Sequence, residues 1–166
     1  GMFGIGPAEA DESELVSTST RTTASAGAYS ERATATAQVT RVIDGDTIDV
    51  VYPDGWEERV RYIGIDAPEV YGSSGSECFS NAATAQNRLL VAGEVVLLER
   101  DRENRDPYDR LLRYVYVDGV SVNASLLGSG HARILYIPPN TRHYGAYAEV
   151  ERAAKIAARG LWRHCQ

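Results

Sequence analysis

Lysine is nearly missing from this chain: Lys155 is the single one, and every other basic residue is an arginine. Such a bias reflects genome composition or a saline habitat more readily than mechanism. Positive charge is also in deficit, with 17 basic against 23 acidic residues and a net charge of −6, an awkward balance for binding a polyanion. No apolar run approaches the ~20 residues of a membrane-spanning helix. Met2 to Gly6 is too short and uncharged for a signal peptide. Gly1 before Met2 reads as an expression remnant, so upstream sequence is expected to have been removed. Cysteine is scarce too, with only Cys78 and Cys165. Two free thiols are the plainer reading, and a disulfide joining the first helix to the C-terminus is the alternative.

What is present divides into a tail and one domain, as expected for 166 residues. Residues 1–36 form a Ser/Thr/Ala-rich segment with early acids and no hydrophobic period. Such a segment buries too little apolar area to offset its ordering entropy and reads as a flexible tail or linker. It holds Glu9, Asp11, Glu12, Glu14 and Glu31 against Arg21 and Arg32, which leaves 18 acids against 15 bases in the remainder. Arginines cluster locally at positions 100, 102, 105, 110 and 113, so weak non-specific binding of a polyanion is expected.

The domain, residues 37–166, starts its regular structure near Gln38. Val39 to Ile43 and Thr47 to Tyr52 are β-rich, with Asp44-Gly45 between them as a hairpin turn. Pro53-Asp54-Gly55 marks the next turn, and Trp56 to Ile65 returns as a third strand. Phe79, Ala82, Ala83, Gln86, Leu89 and Leu90 recur at helical spacing up to Gly93. Val95 to Glu99 and Leu111 to Val117 read as two further strands, Val122 to Leu127 as a short helix. Tyr144, Tyr147, Val150, Ala154 and Ala158 form the stripe of a last helix closed by Gly160. Five strands with a helix after the third is the element order of an oligonucleotide-binding barrel.

Chemistry concentrates in four short stretches: Asp44-Gly45-Asp46-Thr47, Arg61, Asp66-Ala67-Pro68-Glu69 and Asp106-Pro107-Tyr108-Asp109-Arg110. Carboxylates hold a hard divalent cation through oxygen. A cation polarises a phosphoryl oxygen, guanidinium forks pair with charge building on phosphorus oxygens, and a remaining acid can orient or deprotonate water. The inventory suits metal-assisted attack on a phosphodiester. Arg61 poses a problem, since it shares the alternation phase of Ile63 and Ile65. Either it enters a polar pocket or a bulge shifts the phase. The histidines at 131, 143 and 164 lack ligand spacing and read as surface groups.

Val42 to Ile48, Arg61 to Glu69 and Asp106 to Leu112 resemble, in order and spacing, the three signature blocks of the staphylococcal-nuclease (thermonuclease) family. Gly160-Leu161-Trp162 resembles the family's end, and the likeness covers roughly residues 37–166. It implies an α+β fold, a five-stranded OB-fold β-barrel with about three helices. It implies a calcium-dependent endonuclease acting on DNA and RNA with little sequence specificity and leaving 3′-phosphates. By the same resemblance Asp46, Asp66 and the Ala67 backbone carbonyl are the Ca²⁺ ligands. Arg61, Glu69 and Arg110 are catalytic, Tyr108 and Tyr136 bind substrate, and Asp44 is a turn residue supporting the ligands. The family usually has Thr where Ala67 stands. The segment 136–142 runs one residue short, with proline at a position where a second tyrosine is expected, and the Val70–Cys78 loop lacks the family's lysines. The alternative is a catalytically silent barrel that binds nucleic acid or a protein partner. A monomer with no membrane span is expected, with a weak preference for a secreted or surface-exposed setting.

Overall fold

Alternation along the strands turns every second side chain toward the core of a barrel. In the computed structural model, which describes residues 28–29, 31–71 and 75–166, β1 (Thr34–Val42) buries Ala37 and Val39. β2 (Thr47–Val51) buries Ile48 and Val50, and β3 (Glu57–Tyr62) buries Val60 and Tyr62. These strands form an antiparallel meander. Its first ladder shifts register between Val39 and Arg41, a bulge that lets β1 bend from one neighbour to the next.

After the short β4 (Ile65–Asp66) comes α1 (Ser80–Val91), then β5 (Val95–Glu99), which returns to pair with the first half of β1. β6 (Leu111–Val117) runs antiparallel to β5, and its first three residues pair in parallel with Val60–Tyr62. That last pairing closes a five-stranded barrel and removes its open edges. β7 (Val120–Ser121) finishes a hairpin with β6 and leads into α2 (Val122–Gly128), capped by Ser121 Oγ accepting from the Ala124 amide. Leu126 and Leu127 of α2 join the barrel core. β8 (Arg133–Ile134) pairs antiparallel with β4 in a separate two-stranded ladder. α3 (Tyr144–Ile156) buries Tyr147 and Ala154, and the one-turn α4 (Leu161–His164) ends the chain's regular structure.

The α+β barrel and its three main helices agree with the sequence expectation; several details differ. β1 begins at Thr34, ahead of Gln38, because Ala35 and Ala37 are small enough to lie over the core against β5. Tyr29 stacks on Tyr52, and Arg100 and Asn104 both bond to Glu31, so residues just before β1 also pack on the barrel. The rest of the expected tail, residues 1–27 and 30, lies outside the described residues. The third strand stops at Tyr62, where Gly64 at φ 79° turns the chain before β4. On α1, Leu89 is 82% exposed, while Ser80, Ala83, Thr84, Asn87 and Val91 form the buried face.

Cys78 and Cys165 are joined in a disulfide, not held as free thiols. The arginine cluster is not a free basic patch. Arg113 is 1% exposed inside the barrel wall, Arg105 pairs with Glu58 and Arg100 with Glu31. All three histidines are engaged too: His143 Nε2 lies 2.8 Å from Glu99, and His131 and His164 both pack on Phe79. Among the described residues no helix is long and apolar enough to cross a membrane.

Candidate active site

The turn between β1 and β2 brings Asp46 inward. Asp44 Oδ1 accepts from the Asp46 amide at 3.0 Å, the local bond expected of an acid that begins a turn. Gly45 must be glycine for a tertiary reason: a Cβ there would stand 2.6 Å from the Ala67 Cβ and 3.0 Å from the Ala83 Cβ. The turn is also gripped from α1. Asn87, fully buried, donates through Nδ2 to the Asp44 carbonyl and accepts at Oδ1 from the Tyr62 hydroxyl, each at 2.8 Å. A chain of hydrogen bonds therefore runs from the barrel interior through α1 to the acid turn.

Asp46 is 5% exposed. Its Oδ1 accepts from Thr47 Oγ1 and its Oδ2 from the Ala67 amide at 2.8 Å. Burial pushes its carboxyl up to about 7, against the pull of Arg61 and with the help of Asp44. Arg61 alternates with the core residues Val60 and Tyr62 and so leaves the barrel on its outer side. Its Nη1 donates to the Tyr62 and Ile65 carbonyls at 2.9 Å each, and its Nη2 reaches Asp46 Oδ2 at 3.3 Å and Asp66 Oδ1 at 3.2 Å. The phase conflict is thus resolved by a polar pocket plus the turn at Ile63-Gly64, which re-sets the alternation before Ile65. The Asp66 carboxyl is also raised, first by partial burial, with Arg61 opposing.

A second turn aims Arg110. Asp106 Oδ1 accepts from the amides of Tyr108 and Arg110, and its Oδ2 receives Arg110 Nε at 2.6 Å. One buried-side carboxylate therefore shapes the turn and orients the guanidinium. The Arg110 guanidinium lies over the Tyr108 ring at 5.3 Å, and Tyr108 is 81% exposed. Arg61, Tyr108 and Arg110 line one cleft of about 250 Å³, walled otherwise by Leu112, Leu135 and Ile137 among others. Two cationic forks on an apolar cleft with an upright ring suit an anion joined to a flat ring.

Glu69 is exposed at the end of the segment that carries Asp66, and among the described residues its carboxylate makes no ion pair or hydrogen bond. Its backbone is held: the Glu69 amide donates to Glu77 Oε2 and the Glu77 amide donates to the Glu69 carbonyl, both at 2.9 Å. Tyr136 is half exposed and rests on Tyr144, with ring centres 4.6 Å apart, outside the cleft lining. The structure therefore brings Asp46, Asp66 and Arg61 together, places Arg61, Arg110 and Tyr108 on one cleft, and leaves Tyr136 beside it. Asn87 and Glu77 stand outside the stretches that the sequence singles out, and Asp106 stands inside one without a role of its own. Asp106 is legible as an Asx turn before Arg110; Glu77 acts eight residues away across a loop neck, and only Asn87 acts across the fold.

No cluster of three or more His, Cys, Asp or Glu side chains gathers into a ready-made metal cage among the described residues. Yet Asp46 and Asp66 converge on one guanidinium nitrogen, and burial pushes the Asp46 carboxyl up against the pull of that same Arg61. Two converging hard oxygen donors fit a divalent cation that completes its shell with water or backbone oxygen. Ala67 contributes its amide to Asp46.

The profile of the family described as "Staphylococcal nuclease homologue" matches residues 59–164. The chain is 41% identical over 125 residues to Endonuclease YncB of Bacillus subtilis (strain 168), covering 74% of this chain and 59% of that protein. It is equally similar over 125 residues, at 41%, to the SPbeta prophage-derived endonuclease YokF of the same strain, covering 42% of that protein. Against the Thermonuclease of Staphylococcus intermedius it is 36% identical over 125 residues, 75% of this chain and 74% of the relative. The chain thus spans about half the length of the two Bacillus relatives and most of the staphylococcal one. With more than half of its residues inside the family profile, and with the barrel and the acid–arginine pocket in place, the chain belongs to the staphylococcal nuclease homologue family.

Proposed function

We propose that this chain is a calcium-dependent endonuclease that hydrolyses phosphodiester bonds of DNA and RNA with little sequence specificity and leaves 3′-phosphates. The observation that carries this reading is Arg61, which joins the two converging carboxylates on one side and lines the cleft with Arg110 on the other. Asp46 and Asp66, with the Ala67 backbone carbonyl, would hold calcium, which when bound supplies Lewis-acid polarisation of a phosphoryl oxygen. Arg61 and Arg110 pair with the phosphate oxygens as charge grows on them. Asp106 keeps the Arg110 fork aimed, so little reorganisation is needed during reaction. Glu69, whose carboxylate has no competing partner among the described residues, orients or deprotonates the attacking water. Tyr108 offers a face for a base or sugar beside the phosphate, and Tyr136 a second one at the cleft's margin.

The relatives' printed names, endonuclease and thermonuclease, support the reaction class. The disulfide supports an oxidising, extracytoplasmic setting, and the chain is proposed to act as a monomer. The test is incubation of the pure protein with plasmid and with RNA, in calcium, in magnesium and in chelator. Cleavage of both polymers in calcium, weaker cleavage in magnesium because of its stricter octahedral geometry, and none in chelator is the expected result. Full activity in chelator, without carried-over metal, overturns the calcium assignment. Retention of nucleic acid with no cleavage in any metal overturns the nuclease reading.

A further inference from the structure

Glu69 sits at one side of a loop neck whose other side leads into Cys78. Across that neck the amides and oxygens of Glu69 and Glu77 pair reciprocally at 2.9 Å, and Ser76 Oγ donates to the Val70 carbonyl at 2.7 Å. The residue after Glu77 is Cys78, bonded to Cys165 across 87 residues of sequence. The C-terminal partner is itself firmly seated. Leu161 is fully buried and donates its amide to the Gly130 carbonyl at 2.8 Å, and Cys165 donates its own amide back to Leu161. Phe79, just beyond Cys78, holds a left-handed backbone at φ 72° and lies between the rings of His131 and His164, at 5.1 and 5.5 Å. Covalent and aromatic contacts thus fasten the same point of the chain to the C-terminal segment.

We propose that the Cys78–Cys165 disulfide is a positioning element for Glu69, fixing the loop neck so that turnover depends on the oxidised pair. This rests on the nuclease reading above, in which Glu69 handles water. Among the described residues Glu69 is held through its backbone alone, and that support comes from Glu77. Release of Cys78 frees the residue next to that support, while the barrel and its closing β3–β6 ladder are untouched. A dithiol reductant delivers two electrons and two protons to the sulfurs, giving two thiols and a cyclic reductant disulfide. The reverse reaction, with a disulfide oxidant such as oxidised glutathione, restores the bond.

The experiment compares the full oxidised chain, the chain reduced with dithiothreitol, and the C78S/C165S variant. Assays use calcium and a single-stranded oligonucleotide at a temperature where circular dichroism shows every form folded. Reduction is expected to lower kcat by ~10-fold or more, the scale of a misplaced catalytic group, with KM nearly unchanged and recovery on re-oxidation. The double variant should show the same loss without responding to reductant. In an E69Q background reduction should have no further effect on the residual rate, a result that simple loss of stability would not produce. The E77A variant, which keeps the disulfide, should lose kcat in the same direction, and it serves as the second test if the double variant fails to fold. Amide exchange at Glu69 and Glu77 should quicken on reduction, whatever the activity. Equal kcat in both redox states, unchanged exchange, or an undiminished redox response in E69Q overturns the positioning role alone. Absence of cleavage by the oxidised chain overturns the nuclease reading and any catalytic role for the clamp with it.

Discussion

Arg61 and Arg110 carry the same charge toward one cleft but are held in different ways, and their substitutions should differ accordingly. Arg61 braces the Ile63-Gly64 turn through two backbone carbonyls as well as pairing with Asp46 and Asp66. Arg110 answers to the single carboxylate of Asp106 and to the Tyr108 ring. Alanine at either position is expected to lower kcat by ~10² or more, the usual scale for losing a transition-state donor. Thermal melting of Arg61→Ala should fall clearly, and that of Arg110→Ala should stay near the parent. Arg110→Lys should recover little turnover, because an ammonium cannot make the bidentate fork. Wild-type turnover in both alanine variants would make the arginines structural. Glu69→Gln and Asp66→Asn separate two other roles. The first should lose kcat while calorimetry finds near-normal calcium affinity; the second should lose affinity itself. Equal loss of affinity in both would put Glu69 among the ligands.

Among the elements, α1 is the one whose existence was legible while its orientation was not. Its apolar spacing pointed to a stripe through Leu89 and Leu90, yet the face turned inward is polar at Ser80, Thr84 and Asn87. Hydrogen bonding decides the matter: Asn87 satisfies the Tyr62 hydroxyl and the Asp44 carbonyl, which would otherwise be lost inside the fold. Asn87→Ala is therefore expected to destabilise by about 2–4 kcal/mol, the cost of stranding buried polar groups, measured by urea unfolding. Calcium affinity should fall with it, since the released carbonyl belongs to the turn that carries Asp46. Gly45→Ala should also destabilise, by about 1–3 kcal/mol as an overpacked contact against Ala67. If Asn87→Ala unfolds at the parent's urea midpoint, the proposed grip on the turn is wrong.

The whole molecule depends on a first strand longer than its hydrophobic pattern announces. Thr34 to Gln38 pair with Glu99 to Val95 and cover one side of the core. A chain starting at Ala28 should keep its melting temperature and specific activity. One starting at Gln38 should melt lower by ~5 °C or more, the shift that a loss of 1–2 kcal/mol brings in a domain of this size. Equal melting of the two would show that the first half of β1 contributes nothing. The sequence by itself determined the five-strand order, the three main helices and the acid–arginine blocks, because a period of two or 3.6 and local turn chemistry are short-range properties. Only the tertiary structure decided that Asp46 and Asp66 share Arg61, that Arg113 and Arg105 are not free to meet a polyanion, and that Cys78 joins Cys165. Those outcomes depend on which distant residues burial and barrel closure bring within a few ångströms, and no local pattern along the chain encodes that distance.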